Sequence, residues 1–131
     1  MLDSFFEKAK PYAPALIRYG VGIVFFLFGF DQLRRPEAWI AYFPTALPFG
    51  LNVSQAVFYN GIFDLVIGAL LILGILVRLV ALIGALHLIG VMWTLGYSDI
   101  AIRDFGLFLG CLSVLLYGAD RLSLSRKIWK K

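Results

Sequence analysis

The sequence predicts an all-α membrane protein: a four-transmembrane-helix bundle with an interfacial aromatic loop between helices 1 and 2. Composition, span length and the spacing of chain breaks predict it together. Of 131 residues, 61% are hydrophobic and only 15% charged, whereas soluble domains run near half apolar and about a quarter charged. Mean hydropathy is +0.87. Apolar stretches of membrane-crossing length recur along the chain, and glycine, basic residues or proline interrupt them. The length fits a single integral-membrane domain over residues 1–131, with no soluble domain beside it.

Each span is counted against a hydrocarbon core of about 30 Å, or about 20 helical residues. The first runs over 13–32 around the uninterrupted VGIVFFLFGF. No small-x-small cleavage site follows it, so it reads as a retained helix and not a signal peptide. From Val57 to Gly96 the only ionisable groups are Asp64, Arg78 and His87. As one helix this run would be about 60 Å long, twice the membrane, so it must fold back. Gly74 to Arg78 is the place, giving spans at 57–77 and 79–96. The fourth span covers 100–118. Between the first two spans, EAWIAYFPTALPFG brings Trp39, Tyr42, Phe43 and Phe49 together with two prolines and a single charge, Glu37. Water is a poor solvent for such a segment; it is expected to lie in the interface as a lid. Ser54, within an Asn-Val-Ser sequon, is expected to cap the second span.

Four spans put both tails on one side. Lys8, Lys10, Arg78, Arg121, Arg126, Lys127, Lys130 and Lys131 fall there, against Arg34, Arg35 and Arg103 opposite. The positive-inside rule then predicts a multi-pass protein of the cell membrane with both termini cytoplasmic. The pI of 9.4 and the tail RKIWKK are read as headgroup contacts anchored by Trp129. The partner is the lipid bilayer, and no nucleic acid is expected. The single cysteine, Cys111, excludes an intramolecular disulfide and a Cys-based zinc site; it reads as packing. One histidine with scattered carboxylates makes a poor first shell, so no metal is expected.

An ionisable side chain inside a span costs a few kcal/mol and is a functional hypothesis by default. Asn60 and Asp64 are i,i+4 on one helix face, with Asp64 about 10 Å below the outer end of its span. His87 lies about 14 Å deep in the third span, with Thr94 on the same face. Arg103 and Asp104 sit one turn inside the fourth. Polar groups therefore gather in the outer half, where a pocket floored by Asp64 and His87 would lie beneath Trp39, Tyr42 and Phe43. The inner half holds Arg18, expected to snorkel to the headgroups. The structural alternative pairs Asp64 with Arg103 across helices, while His87 donates to a backbone carbonyl or to Asn60. Asp31 and Asp104 lie near enough to the surface to be read as simply solvated. Gly106 and Gly110, with Gly84, Gly90 and Gly96, are expected to allow close helix approach. No catalytic motif is present, so catalytic residues stay unassigned and enzyme status open.

Several segments resemble one family. RYGVGIVFFLFGFDQLRRPEAW is similar to an R-x-x-x-G…F-x-x-G-x-x-K opening, with Gln32 near the position of the lysine. FDLVIGALLILGILVR resembles an acidic-x-x-x-G…G-x-x-x-R motif through Asp64, Gly68, Gly74 and Arg78. AIRDFGLFLG resembles an Arg-Asp pair, and YGADRLSLSRKI a closing G-x-G-R-x-S-L-D stretch in which Asp120 and Ser125 depart from the usual residues. These motifs are those of the DoxX-like family of small four-helix integral membrane proteins. The resemblance covers all four spans and implies a redox association, since relatives include a small membrane subunit of a thiosulfate:quinone oxidoreductase. Fold does not fix function.

Three readings follow. In the first, the pocket of a redox-associated protein binds a quinone headgroup or a small sulfur compound: Arg103 holds an anion or carbonyl oxygen, and Asp64 and His87 relay protons, with Asn60 and Asp104 beside them. In the second the chain is a non-catalytic assembly subunit for a membrane or peripheral redox partner. In the third it is a small carrier built as a homo-oligomer.

Overall fold

Two prolines near the amino terminus divide a surface helix from a spanning one. In the computed structural model, which describes residues 1–128, α1 (Leu2–Ala9) leads through a 3₁₀ turn containing Pro11 into α2 (Ala13–Arg34). Proline is tolerated in a first turn because its missing N–H has no helical partner there. The sequence reading did not include α1. It buries nothing, and Leu2, Phe5 and Phe6 stand exposed. The tail residues Trp129, Lys130 and Lys131, invoked above as a headgroup anchor, lie outside the described residues.

α2 ends where Pro36 pushes Arg35 off helical dihedrals (φ −135°, ψ 62°). Three short 3₁₀ turns carry the chain to α3 (Val53–Leu73). This helix starts four residues before the expected 57, and its cap is Asn52 and not Ser54. The Asn52 side chain accepts from the Gln55 N–H while Gln55 bonds back to the Asn52 N–H, a capping box. Polar Ser54 and Gln55 thus belong to the first turn of the helix, which the apolar run alone could not reveal.

The fold-back is tighter than Gly74–Arg78: α4 (Val77–Leu95) already contains Arg78. Gly74 is left-handed (φ 73°), and Ile75 and Gly74 donate to the carbonyls of Leu70 and Leu71. This is a Schellman ending, for which glycine suits the left-handed position. Leu76 is also left-handed (φ 48°), a conformation that costs an L-residue roughly 1–2 kcal/mol. Ser125 holds it: its Oγ accepts from the Leu76 N–H at 3.0 Å and donates to the Gly74 carbonyl at 2.9 Å. Ser125 is the second residue of α6 (Leu124–Ile128), which follows α5 (Asp99–Tyr117). Ser98 caps α5 by accepting from the Ala101 N–H.

The architecture is an all-α membrane protein of four spanning helices, with no strand among the described residues. Their outer faces are apolar: Leu27, Leu79, Leu86, Trp93 and Leu116 are among the exposed residues. Water would oppose such a surface, whereas lipid is its proper solvent. α2 packs along α3, and α4 along α5, over a core of Phe25, Ile67, Leu71, Val80, Leu88 and Val114.

The closest helix contact is not where the small residues of α4 and α5 pointed. A Cβ on Gly29 would lie 2.6 Å from the Gly61 carbonyl oxygen, and one on Gly68 would lie 2.7 Å from that of Gly22. Two glycine pairs spaced by seven therefore interlock α2 and α3. On the other helices Gly110 meets Val21, Gly84 is in ordinary contact, and Gly90, Gly96 and Gly106 face open space.

Arg18 overturns the snorkelling expectation. It is fully buried, its Nε 2.6 Å from Asp120 Oδ2 and its Nη2 3.1 Å from Oδ1. Nη1 donates to the carbonyls of Leu71 and Ile72 in the last turn of α3, where the regular helical donors run out. Asp120, in the turn after α5, supplies a counter-ion inside the protein, so the guanidinium has no need of the headgroups.

Candidate functional site

At the opposite end, the helices and the 36–50 loop enclose a cavity of about 400 Å³. Its lining includes the polar residues expected of the pocket: Asn60 and Asp64 from α3, His87 and Thr94 from α4, Arg103 and Asp104 from α5. α2 adds Phe25, Phe28 and Gln32, and the loop adds Trp39, Tyr42, Phe43 and Pro44. Helical spacing explains the convergence. Gln32 is seven residues from Phe25, Asp64 four from Asn60, and Thr94 seven from His87, so each set shares one face.

Asp64 is the hub. Its Oδ2 accepts from Gln32 Nε2 and from Asn60 Nδ2, both at 3.0 Å. Asn60 Nδ2 also donates to Gln32 Oε1 at 2.8 Å, closing a three-residue ring between α2 and α3. The other oxygen, Oδ1, is buried and has no hydrogen-bond partner. His87 Nε2 lies 3.3 Å from it without forming that bond, its ring packed against Phe63 at 4.6 Å between centroids. A buried oxygen without a donor typically costs about 1–3 kcal/mol, and it belongs to a residue that lines the cavity. Gln32 is not among the expected site residues, because a neutral amide at the end of an apolar helix looks like a boundary residue.

Arg103 does not reach Asp64. It folds back on its neighbour, with Nε and Nη2 3.2 and 3.0 Å from Asp104 Oδ1, and its guanidinium carbon lies 4.4 Å from the centre of the Phe28 ring. The aromatic face holds the cation, so the expected pair between α3 and α5 gives way to a pair within α5. Nor is Asp104 simply solvated: it is buried at 4% exposure. His87 donates neither to a backbone carbonyl nor to Asn60; its close polar neighbour is Asp64.

The aromatic loop is tied down from below. Trp39 Nε1 donates to Asp31 Oδ2 at 3.0 Å, and Asp31 also holds Arg35 at 2.9 Å. The Trp39 ring meets Phe28 edge-on at 5.6 Å and Tyr42 at 5.8 Å. Asp31 therefore fixes the loop over the cavity, a role beyond the simple solvation expected of it. Among the described residues no group of His, Cys, Asp and Glu has the arrangement of a metal site. Cys111 is buried in the core beside Gly84.

The site can therefore offer an unsatisfied acceptor, a guanidinium and an aromatic wall to one small molecule. No curated protein and no solved structure matches the chain. The DoxX family model matches residues 13–96, taking in α2, the loop, α3 and α4 and thus most of the cavity wall. This four-helix, multi-pass membrane protein belongs to the DoxX family.

Proposed function

We propose that the cavity binds the aromatic headgroup of a quinol or quinone and that the chain serves as a redox-associated membrane subunit. The observation that carries this reading is Asp64 Oδ1, a buried acceptor with no donor on a residue that lines a cavity walled by Phe25, Phe28, Trp39 and Tyr42. A quinol hydroxyl supplies the missing donor, and its flat ring suits aromatic walls better than an aliphatic solute does. At the other pole Arg103 keeps Nη1 unengaged, since Nε and Nη2 serve Asp104. That nitrogen can donate to the second ring oxygen.

Charge decides against a small sulfur anion. The cavity sets the carboxylates of Asp64 and Asp104 against the single guanidinium of Arg103, with His87 and Tyr42 as the other titratable groups. A dianion such as thiosulfate would enter a site already short of positive charge. A neutral headgroup meets no such penalty.

In this role the protein positions the ring and takes its protons. When a partner oxidoreductase withdraws two electrons from bound quinol, two protons must leave the ring oxygens. Asp64 accepts at Oδ1, and His87, 3.3 Å away, is the next acceptor.

Titration of purified protein in lipid nanodiscs with a benzoquinol, followed by tryptophan fluorescence, tests the reading. Wild type should show saturable binding that excess thiosulfate does not displace, and Asp64→Asn should bind at least tenfold more weakly. Absence of saturable binding by wild type, or equal binding by Asp64→Asn, would reject it.

A further inference from the structure

Part of the cavity wall contributed by α4 is exposed on the outer surface of the protein. This wall comprises a buried edge at Leu88 and an opposite edge at Leu86 and Gly90. Leu86 is 59% exposed while also lining the cavity, and Gly90 is exposed, with nothing within 4 Å of where a Cβ would stand. Leu86, Gly90 and Thr94 succeed one another at intervals of four, forming one continuous stripe of exposed cavity wall along the helix. Although joined by the tight turn, α3 and α4 touch each other far less than α2 touches α3, and their close meeting of side chains is Phe63 with His87.

What lies outside this edge is lipid. Gly90 sits about 8 Å below the end of α4 at 1.5 Å per residue. The neighbouring surface is Leu86, Ile89 and Trp93, the last two 46% and 88% exposed, which is an apolar surface suited to acyl chains. A polar solute does not enter by such a route, whereas a molecule with an apolar tail both enters there and leaves its tail there.

Resting on the quinol reading above, we infer that the ligand is lipid-tailed: it enters sideways from the bilayer between α3 and α4, and its isoprenoid or alkyl tail leaves the cavity across Gly90. The absent side chain at position 90 is the doorway, and Leu86 is its sill. The headgroup then rests against Asp64 while the tail stays in the leaflet, so the protein need not bury the tail. Each methylene of the tail favours lipid over water, and that gain is held by the membrane and not by the protein.

The test compares a tail-less dimethoxybenzoquinol with its decyl-tailed counterpart, each titrated against wild type, Gly106→Phe and Gly90→Phe in nanodiscs. Gly106→Phe should bind both as wild type does, because Gly106 faces open space and lies outside the cavity lining. Gly90→Phe should keep tail-less binding within about twofold and weaken tailed binding at least tenfold, with an unchanged melting temperature reporting the fold. Equal effects of Gly90→Phe on the two ligands, or none on either, would overturn the side entrance. If wild type binds neither ligand, the quinol reading itself fails, which is a different result.

Discussion

Arg18 and Asp120 lie 102 positions apart in the chain and form a doubly hydrogen-bonded pair, at 2.6 and 3.1 Å, with both side chains essentially inaccessible. The pair fastens the start of α2 to the turn after α5, and through the carbonyls of Leu71 and Ile72 it also caps α3. Three of the four spanning helices thus meet on one guanidinium. At the other end of the protein Asp64 has neutral amide donors and one oxygen without a donor. One end is locked and the other is left incomplete.

Breaking the lock from one side should be severe. Asp120→Ala leaves a buried guanidinium without its counter-ion, which typically costs about 3–5 kcal/mol. Arg18→Met combined with Asp120→Leu should recover much of that loss, since neither charge then remains. Thermal unfolding in detergent, followed by circular dichroism, measures both. A double variant no better than the single would show that the pair acts through more than its charge.

The same pair predicts a pH dependence. Burial pushes the Asp120 carboxyl up, but Arg18, the Leu122 N–H and Ser123 outweigh it, and the net position is below the ordinary 3.8. A carboxyl lowered by folding contributes stability that is present above its unfolded value and is lost as pH falls through the native one. The gap in melting temperature between wild type and Asp120→Asn should therefore be constant near neutral pH and narrow below 3.8. A gap that holds or widens on acidification would contradict the assignment.

The helices were legible because hydropathy and length are local properties: each apolar run, broken at Gly74 and bounded by Pro36 or Gly118, could be counted off directly. The cavity residues were legible for a related reason, since polar groups within apolar helices have few places to go. Partner choice was not legible. Whether Arg103 takes Asp64 or Asp104 depends on helix rotation and on the Phe28 ring beneath it, and neither is written in the spacing. Arg18 looked like a snorkelling cation because its counter-ion lies at the far end of the chain. Gly22, Gly29, Gly61 and Gly68 do show a seven-residue spacing, but Gly106 and Gly110 offered a shorter and more familiar one, and only packing tells them apart.

The glycines give the third prediction. Gly29→Ala or Gly68→Ala drives a methyl group into the backbone of the facing helix, and such overpacking costs about 1–3 kcal/mol. Gly106→Ala meets open space and should be neutral, or more stable by up to about 1 kcal/mol from helix propensity. Unfolding titrations of the three variants should separate them in that order. Equal behaviour would mean that α2 and α3 can slide apart.

Orientation gives the fourth. The basic residues Arg78, Arg121, Arg126 and Lys127 cluster at the end that carries the termini, and the positive-inside rule predicts that this end is cytoplasmic. In a background lacking Cys111, Ala46→Cys should react with an impermeant maleimide added to intact cells, and Lys127→Cys should react only after lysis. The reverse pattern would turn the cavity toward the cytoplasm.

The fifth returns to Asp64. Gln32 stands near a position where the resembled pattern carries lysine, and its amide nitrogen is 3.0 Å from Asp64 Oδ2. Gln32→Lys would put an ammonium group beside that carboxylate, where an opposite charge is worth more than an amide hydrogen bond. Stability should hold or rise, while quinol binding should fall about tenfold or more, because an ammonium at Oδ2 draws on the negative charge of the same carboxylate whose Oδ1 is to accept from the ligand. A gain in stability with a loss of binding is the pattern expected where a site keeps a group unsatisfied for its ligand. Melting curves and quinol titrations on the one variant supply both readings. Unchanged binding would show that the ligand does not depend on the Asp64 carboxylate, and the incomplete end of the protein would then need another explanation.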